Sequence, residues 1–296
     1  MWQSIVRNWV YRAARERMHE AGAQAGSGGA AQSERGGPGA APGSVAPQPI
    51  QRPVCHVGMV FALGMEAGGL VDRLAGVIAT EGAGFVAREG GLNGRRVVLM
   101  EAGAGREAAT RATEVLLAGH RPRWVISAGF AGGLAPSLRQ GDILMPDRLA
   151  DTSGRQLEVD FRIDPATLAS NPRLHVGRLL TVDRVIGGAE EKALLGQQHS
   201  ALAVDMESLA VADVCRRERV RFLAVRVISD AVDERLPPEV DNLVRQKSRA
   251  GRIGAVSVAL WRRPSSIKDL WKLREDALLA SERLGHFLAG VIPQLD

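Results

Sequence analysis

The chain of 296 residues is poor in several things, and each shortage excludes something. Its two cysteines, Cys55 and Cys215, cannot make a disulfide framework, which fits a reducing, cytoplasmic setting. No run of 18 apolar residues occurs, so the sequence offers no membrane-spanning helix. Lysine is scarce: Lys192, Lys247, Lys268 and Lys272 are four among 38 cationic residues. The net charge of +5 therefore rests on arginine, which with abundant alanine and glycine points to a GC-rich coding bias. Aromatic residues make up 4% and do not interleave with any basic block, so nucleic acid is not an expected partner. The six histidines form no ligand spacing, and no metal is expected.

What remains is enough apolar residue, 45%, for one large domain with appendages. Residues 1–20, MWQSIVRNWVYRAARERMHE, place Ile5, Val6, Trp9, Val10 and Ala13 at helical spacing among arginines. They lack the apolar centre of a signal peptide. Such an amphipathic helix suits a membrane surface; the plainer reading is an upstream extension of marginal helicity. Residues 21–53 are rich in Gly, Ala, Pro, Ser and Gln, and read as a disordered linker that buries too little to offset ordering entropy. The folded domain is expected over 54–296.

Within it, strands and helices alternate. Strands are expected at 54–63, 94–101, 123–128, 142–146, 177–182, 201–204 and 222–228. Helices are expected at 65–74, 106–120, 189–196, 206–218 and 239–249. Apolar, β-branched runs separated by helices imply an α/β fold of three layers, α/β/α, whose mixed central sheet is mainly parallel and covered on both faces. Ligands of such sheets sit beyond the carboxyl ends of the strands. The tail, 253–292, reads as helical after Pro264-Ser265-Ser266. Its apolar stripe of Leu270, Leu273, Leu278, Leu279 and Leu284 suits a packing or dimer-forming helix.

Four segments carry chemistry-bearing residues. GAGREA, Gly103–Ala108, follows a strand and opens a helix, as a phosphate cradle does. The acid that a dinucleotide site wants about 20 residues on is missing from RPRWVISA. The turn then serves to bring backbone close to a ligand or another strand. SAGFAGGLAPSLRQGDI, Ser127–Ile143, exposes backbone N–H groups at a glycine turn. VDMESLAV, Val204–Val211, puts Asp205 and Glu207 in a first helical turn, either as dipole partners or as a grip on a sugar diol. In FALGMEAGGL, Glu66 opens a helix after a strand, with the same two readings. To these is added RFLAVRVISDAVDE, where an apolar strand ends on Ser229-Asp230. A carboxylate there caps a turn or is an acid tuned by burial.

Taken together, AGGLAPSLRQGDI, AVDMESLAVADVC and VRVISDAVDE resemble the nucleoside phosphorylase / methylthioadenosine–adenosylhomocysteine nucleosidase superfamily over roughly residues 54–250. Within it, LLTVDRVI at 179–186, the Asp of VDMES and the WRRP…LWKLREDA tail are most similar to the hopanoid-associated phosphorylase branch. The resemblance implies that Asp230 is the general acid acting at the purine N7, oriented by Ser229, and that Glu66 positions the attacking water. It implies that Met206 and Glu207 hold the ribose, that Arg226 lies next to the acid, and that Phe130, Ala131, Gly132, Val185 and Ile186 line the substrate. It implies no cofactor, a small nucleoside as partner, and a homodimer. Three positions depart from the family. Phe130 stands where nucleosidases carry Ser, Val185 stands where a Phe stacks on adenine, and the phosphate motif G-D-P-x-R is absent at 58–70. Hydrolysis of an adenosine-like nucleoside is the reading preferred. Phosphorolysis of an adenosyl lipid such as adenosylhopane, with phosphate as co-substrate held by Arg106, is the alternative. A non-catalytic nucleoside-binding module is the third.

Overall fold

The computed structural model describes residues 55–82, 84–161, 163–236 and 266–295, with the side chains of the last stretch from Glu275 onward. The expectations for 1–20, 21–53, helix 239–249 and the tail's first part, 253–265, fall outside these residues.

Ten strands form one sheet: β1 Val57–Phe61, β2 Ala75–Gly82, β3 Phe85–Leu92, β4 Arg95–Glu101, β5 Trp124–Gly133, β6 Ile143–Asp151, β7 Gln156–Glu158, β8 Leu174–Thr181, β9 Ala203–Asp205 and β10 Arg221–Asp230. Among the described residues six helices accompany them: α1 Gly64–Val71, α2 Arg106–His120, α3 Pro165–Ser170, α4 Ala189–His199, α5 Ser208–Arg217 and α6 Ser266–Val291. The middle of the sheet, β4-β1-β5-β10, is parallel throughout. On one side the antiparallel β2–β3 pair extends it. On the other, β10 pairs with β6, β6 with β8, β8 with β9, and β9 returns antiparallel to β5. Strands β5, β10, β6, β8 and β9 therefore close on themselves beside the open half.

The central strands alternate strictly, as strands buried on both faces do. Val57, Met59 and Phe61 of β1, with Val97 and Leu99 of β4, face a core shared with Leu70 of α1 and Leu284 of α6. Val60, Val98 and Met100 face the opposite core, with Leu116 of α2 and Val211 and Cys215 of α5. Helices thus cover both faces.

Several expectations change: β7 and α3 arise where no element is expected, and the strand expected at 123–128 runs on to Gly133. The sequence reading placed no element at 75–92, where the β2–β3 hairpin lies; β2 is largely exposed and carries no burial signal. The strand read as 142–146 runs on to Asp151. The tail's apolar stripe holds at Leu284 but not at Leu278 and Leu279, which are exposed, while Ala280, Ser281, Leu288 and Ile292 join Leu284 in the core; the side chains of Leu270 and Leu273 lie outside the described residues. A four-residue step follows the inner face of a helix, and two adjacent leucines cannot both lie on it together with Leu284.

Candidate active site

Parallel β1, β5 and β10 end on one side of the sheet, and each delivers a polar group there. β1 turns through Leu63 into α1, whose first turn carries Glu66, 5% exposed. Leu63 N–H donates to Glu66 Oε2 at 2.8 Å, satisfying an amide at the start of α1. Phe130 N–H donates to Glu66 Oε1 at 2.9 Å from across β5. Glu66 therefore serves its helix and the site together. Burial raises its proton affinity, against those backbone bonds and Arg226, which favour the anion.

Gly129 makes this approach possible. A Cβ there would stand 2.7 Å from both Glu66 Oε1 and Arg226 Nη1. Arg226, paired in register with Gly129, is 2% exposed. Its Nε and Nη2 donate to Asp205 Oδ2 at 3.0 and 2.7 Å, and Nη2 also reaches Ser127 Oγ at 2.8 Å and Ser208 Oγ at 2.9 Å. Burial works against its charge, but Asp205, Glu207 and Glu66 outweigh that and hold it above the usual arginine range. Asp205 is fully engaged: Thr181 Oγ1 donates to it at 2.7 Å, and Ser208 N–H, at the start of α5, at 2.9 Å.

Glu207 arrives differently. β9 runs antiparallel to β5, with Val204 opposite Gly132, so its end lies beside the glycine-rich end of β5, which is strand through Gly133 and not the turn expected from the sequence. Glu207 makes no cap to its own helix. Its Oε1 accepts from Gly105 N–H at 2.7 Å, and Oε2 lies 3.3 Å from Met206 N. Gly103 and Gly105, with φ of 85° and 96°, give GAGREA the turn that aims this amide. The partner of the glycine turn is thus a carboxylate of the chain itself. Burial, with the neighbouring Asp205 charge, pushes Glu207 up to about 7, against Arg226 and the Gly105 amide.

Asp230 ends β10 and is 4% exposed. Its Oδ1 lies 2.5 Å from Ser229 Oγ, which lies 3.2 Å from Ala131 O. Gly132 leaves it room, since a Cβ there would stand 3.3 Å from Oδ2. Oδ2 forms a close ion pair with Lys192 Nζ from α4. Burial raises Asp230's proton affinity, and Lys192 and Ser229 work against it.

The chain has relatives among known proteins. A family model described as the Phosphorylase superfamily matches residues 57–256. The chain belongs to this superfamily. It is 33% identical over 202 residues to a 5′-methylthioadenosine/S-adenosylhomocysteine nucleosidase of Actinobacillus succinogenes, covering 60% of this chain and 86% of that protein. It is 31% identical over 204 residues to the nucleosidase of the same name from Haemophilus ducreyi, with the same coverage. Among solved structures, the Neisseria meningitidis nucleosidase in complex with methylthio-immucillin-A aligns at a TM-score of 0.57 with 21% identity, over 80% of this chain and all of that one. Futalosine hydrolase of Helicobacter pylori aligns at 0.53 with 20% identity, over 59% of this chain and 89% of that one. These two likenesses show the fold.

As a superfamily member, the chain places its remaining site positions unevenly. Met206 is half-buried between β9 and α5. Phe130 turns its ring toward the main core and gives the site its amide. Val185 is half-buried on the loop after β8. Ile186 is 5% exposed and packs in a cluster with Leu134, Leu180, Val182 and Val204. Glu234 closes the turn after Asp230 by accepting from Ala231 N–H at 2.9 Å. The sequence reading gives no part to Lys192, to Asp205 as counter-charge to Arg226, or to Thr181, Ser127 and Ser208. In AEEKALLG the lysine is wholly buried while Leu194 is 52% exposed, so hydropathy points the wrong way. The available cue was a lone lysine in an arginine-rich chain.

Proposed function

We propose that the protein hydrolyses the N-glycosidic bond of an adenosine-like nucleoside and releases adenine. The observation that carries this reading is the gathering of three buried carboxylates, Glu66, Glu207 and Asp230, around the glycine-rich end of β5, each with raised proton affinity. Cleavage builds positive character on the ribosyl ring and negative charge on the departing base, and a site with acid on one side and carboxylates on the other answers both. Asp230 gives its proton to the base as the C1′–N9 electron pair leaves with it. Water adds to C1′ and yields a proton to Glu66, which Arg226 and the Phe130 amide hold in place. Glu207 takes the ribose hydroxyls, exchanging the Gly105 amide for them.

Water is favoured over phosphate as nucleophile by the state of the two arginines beside the site. Arg226 is committed to Asp205. Arg106 pairs with Asp183 at 3.0 Å and lies 3.9 Å from Asp151. Nucleosidases at 31–33% identity point the same way.

The test incubates purified protein with several 5′-substituted adenosines, with and without phosphate, and follows base and sugar products by mass spectrometry. Free adenine and free pentose without phosphate are expected, and Asp230→Asn should abolish them while retaining nucleoside binding. A pentose 1-phosphate formed only with phosphate would replace hydrolysis by phosphorolysis. No base from any substrate would sink both.

A further inference from the structure

Lys192 is a buried ammonium to which the hydrolysis reading gives no task. It lies in α4, 38 residues before Asp230, with no exposed surface. All three of its N–H donors are used: Asp230 Oδ2, Ala231 O at 2.9 Å and Glu234 O at 2.7 Å. Removing an ammonium from water costs several kcal/mol. Tying down residues 231–234 alone would need only a neutral donor.

Proton bookkeeping at Asp230 shows what the charge adds. Ser229 has one hydroxyl proton and two acceptors in reach, Asp230 Oδ1 and Ala131 O. With a proton on Oδ1, Asp230 donates to Ser229 Oγ and Ser229 donates to Ala131 O, and every group is satisfied. Once that proton has gone, Ser229 turns to donate to Oδ1 while Lys192 holds Oδ2. The same heavy-atom positions serve both states, but the second puts a full negative charge where little water reaches. Lys192 is the cation in contact with it. Among the described residues, Glu234 from the following loop also acts on Asp230 and opposes loss of the proton; from β5 it meets the uncharged Gly132.

We propose that Lys192 is a positioning residue that fixes Asp230 and holds its carboxylate after the proton has passed to the departing base, and so sets the pH above which the enzyme loses its acid. This rests on the hydrolysis reading. Atoms balance as before: the proton of Asp230 goes to the base, and Lys192 keeps all its own.

The experiment compares pH profiles of kcat/KM for adenine release in the parent, Lys192→Met and Lys192→Arg. Without the ammonium, Asp230 should hold its proton to higher pH, so the basic limb of Lys192→Met should move up by about one pH unit or more. Its kcat near neutrality should fall by at least about tenfold, because the product carboxylate is no longer held. Lys192→Arg, which keeps the charge, should leave the limb in place. Should the Met variant fail to fold, Lys192→Gln retains two N–H donors for the Ala231 and Glu234 carbonyls and is expected to show the same shift. An uncharged variant with the parent's limb and only a lower melting temperature would make Lys192 a loop anchor and overturn the proposal. A parent that releases no base from any adenosine overturns the hydrolysis reading first, before any variant is made.

Discussion

Two acids two residues apart, Asp205 and Glu207, had the same readings in the sequence: dipole partners of α5 or sugar ligands. The structure divides the work. Asp205 accepts from Ser208 N–H and from Arg226, so it is the helix partner and the counter-charge. Glu207 turns away from α5 to the Gly105 amide, with a longer bond from Met206 N–H, and ribose hydroxyls can replace both. Glu207→Ala should therefore lower kcat/KM for a ribonucleoside by at least about tenfold more than for its 2′-deoxy counterpart, since only the first loses a hydroxyl partner. Equal losses in a side-by-side assay would remove the ribose role. That VDMES holds functional acids was legible from its place after a strand. Which acid does what was not, because the deciding partners lie 21 and 102 residues away along the chain.

At the scale of elements, the position of Glu66 depends on a helix at the far end of the chain. α1 and α6 cross at two glycines. A Cβ on Gly69 would stand 2.2 Å from Ser281 O, and one on Gly285 would stand 2.2 Å from the carbonyl carbon of Gly69. Ser281 fastens the crossing: Gly69 N–H donates to its Oγ at 2.9 Å, and that hydroxyl lies 3.4 Å from Glu66 O. The contact there is with backbone, which cannot swing aside. Gly285→Leu should thus push α1 and α6 apart at a cost of about 1–3 kcal/mol. A lowered denaturant midpoint should accompany a fall in kcat/KM, since α1 carries Glu66; an unchanged midpoint would mean the helices slide without cost. The sequence displayed α6 as a helix, but its glycine looked like any other small residue. Close approach is a property of two elements.

The whole molecule carries the site's electrostatic cost. Glu66, Glu207 and Asp230 all bind protons more tightly folded than unfolded. The stability each contributes is therefore full below its unfolded pKa and is lost as pH rises through the folded one. For Glu207 that window runs from 4.5 to about 7. Glu207→Gln should accordingly gain stability relative to the parent between acid and neutral pH, by on the order of 3 kcal/mol at most. Melting temperatures of both proteins across the window check it; a constant or shrinking difference would contradict the burial argument.

By itself the sequence determined the parts whose causes are local. Near-continuous apolar runs mark β1, β4, β5 and β10, a glycine turn follows β4, and an acid stands at or just beyond the end of β1, β9 and β10. These follow from a period of two or 3.6 residues and from turn chemistry, which act over a few neighbours. The tertiary structure decided the rest. It brought β9 in antiparallel so that Glu207 meets Gly105, sank Ile186 into the core, and closed Lys192 on Asp230. Each of these depends on the register of segments tens of residues apart, and a buried charge is tolerated only where its partner has already been placed.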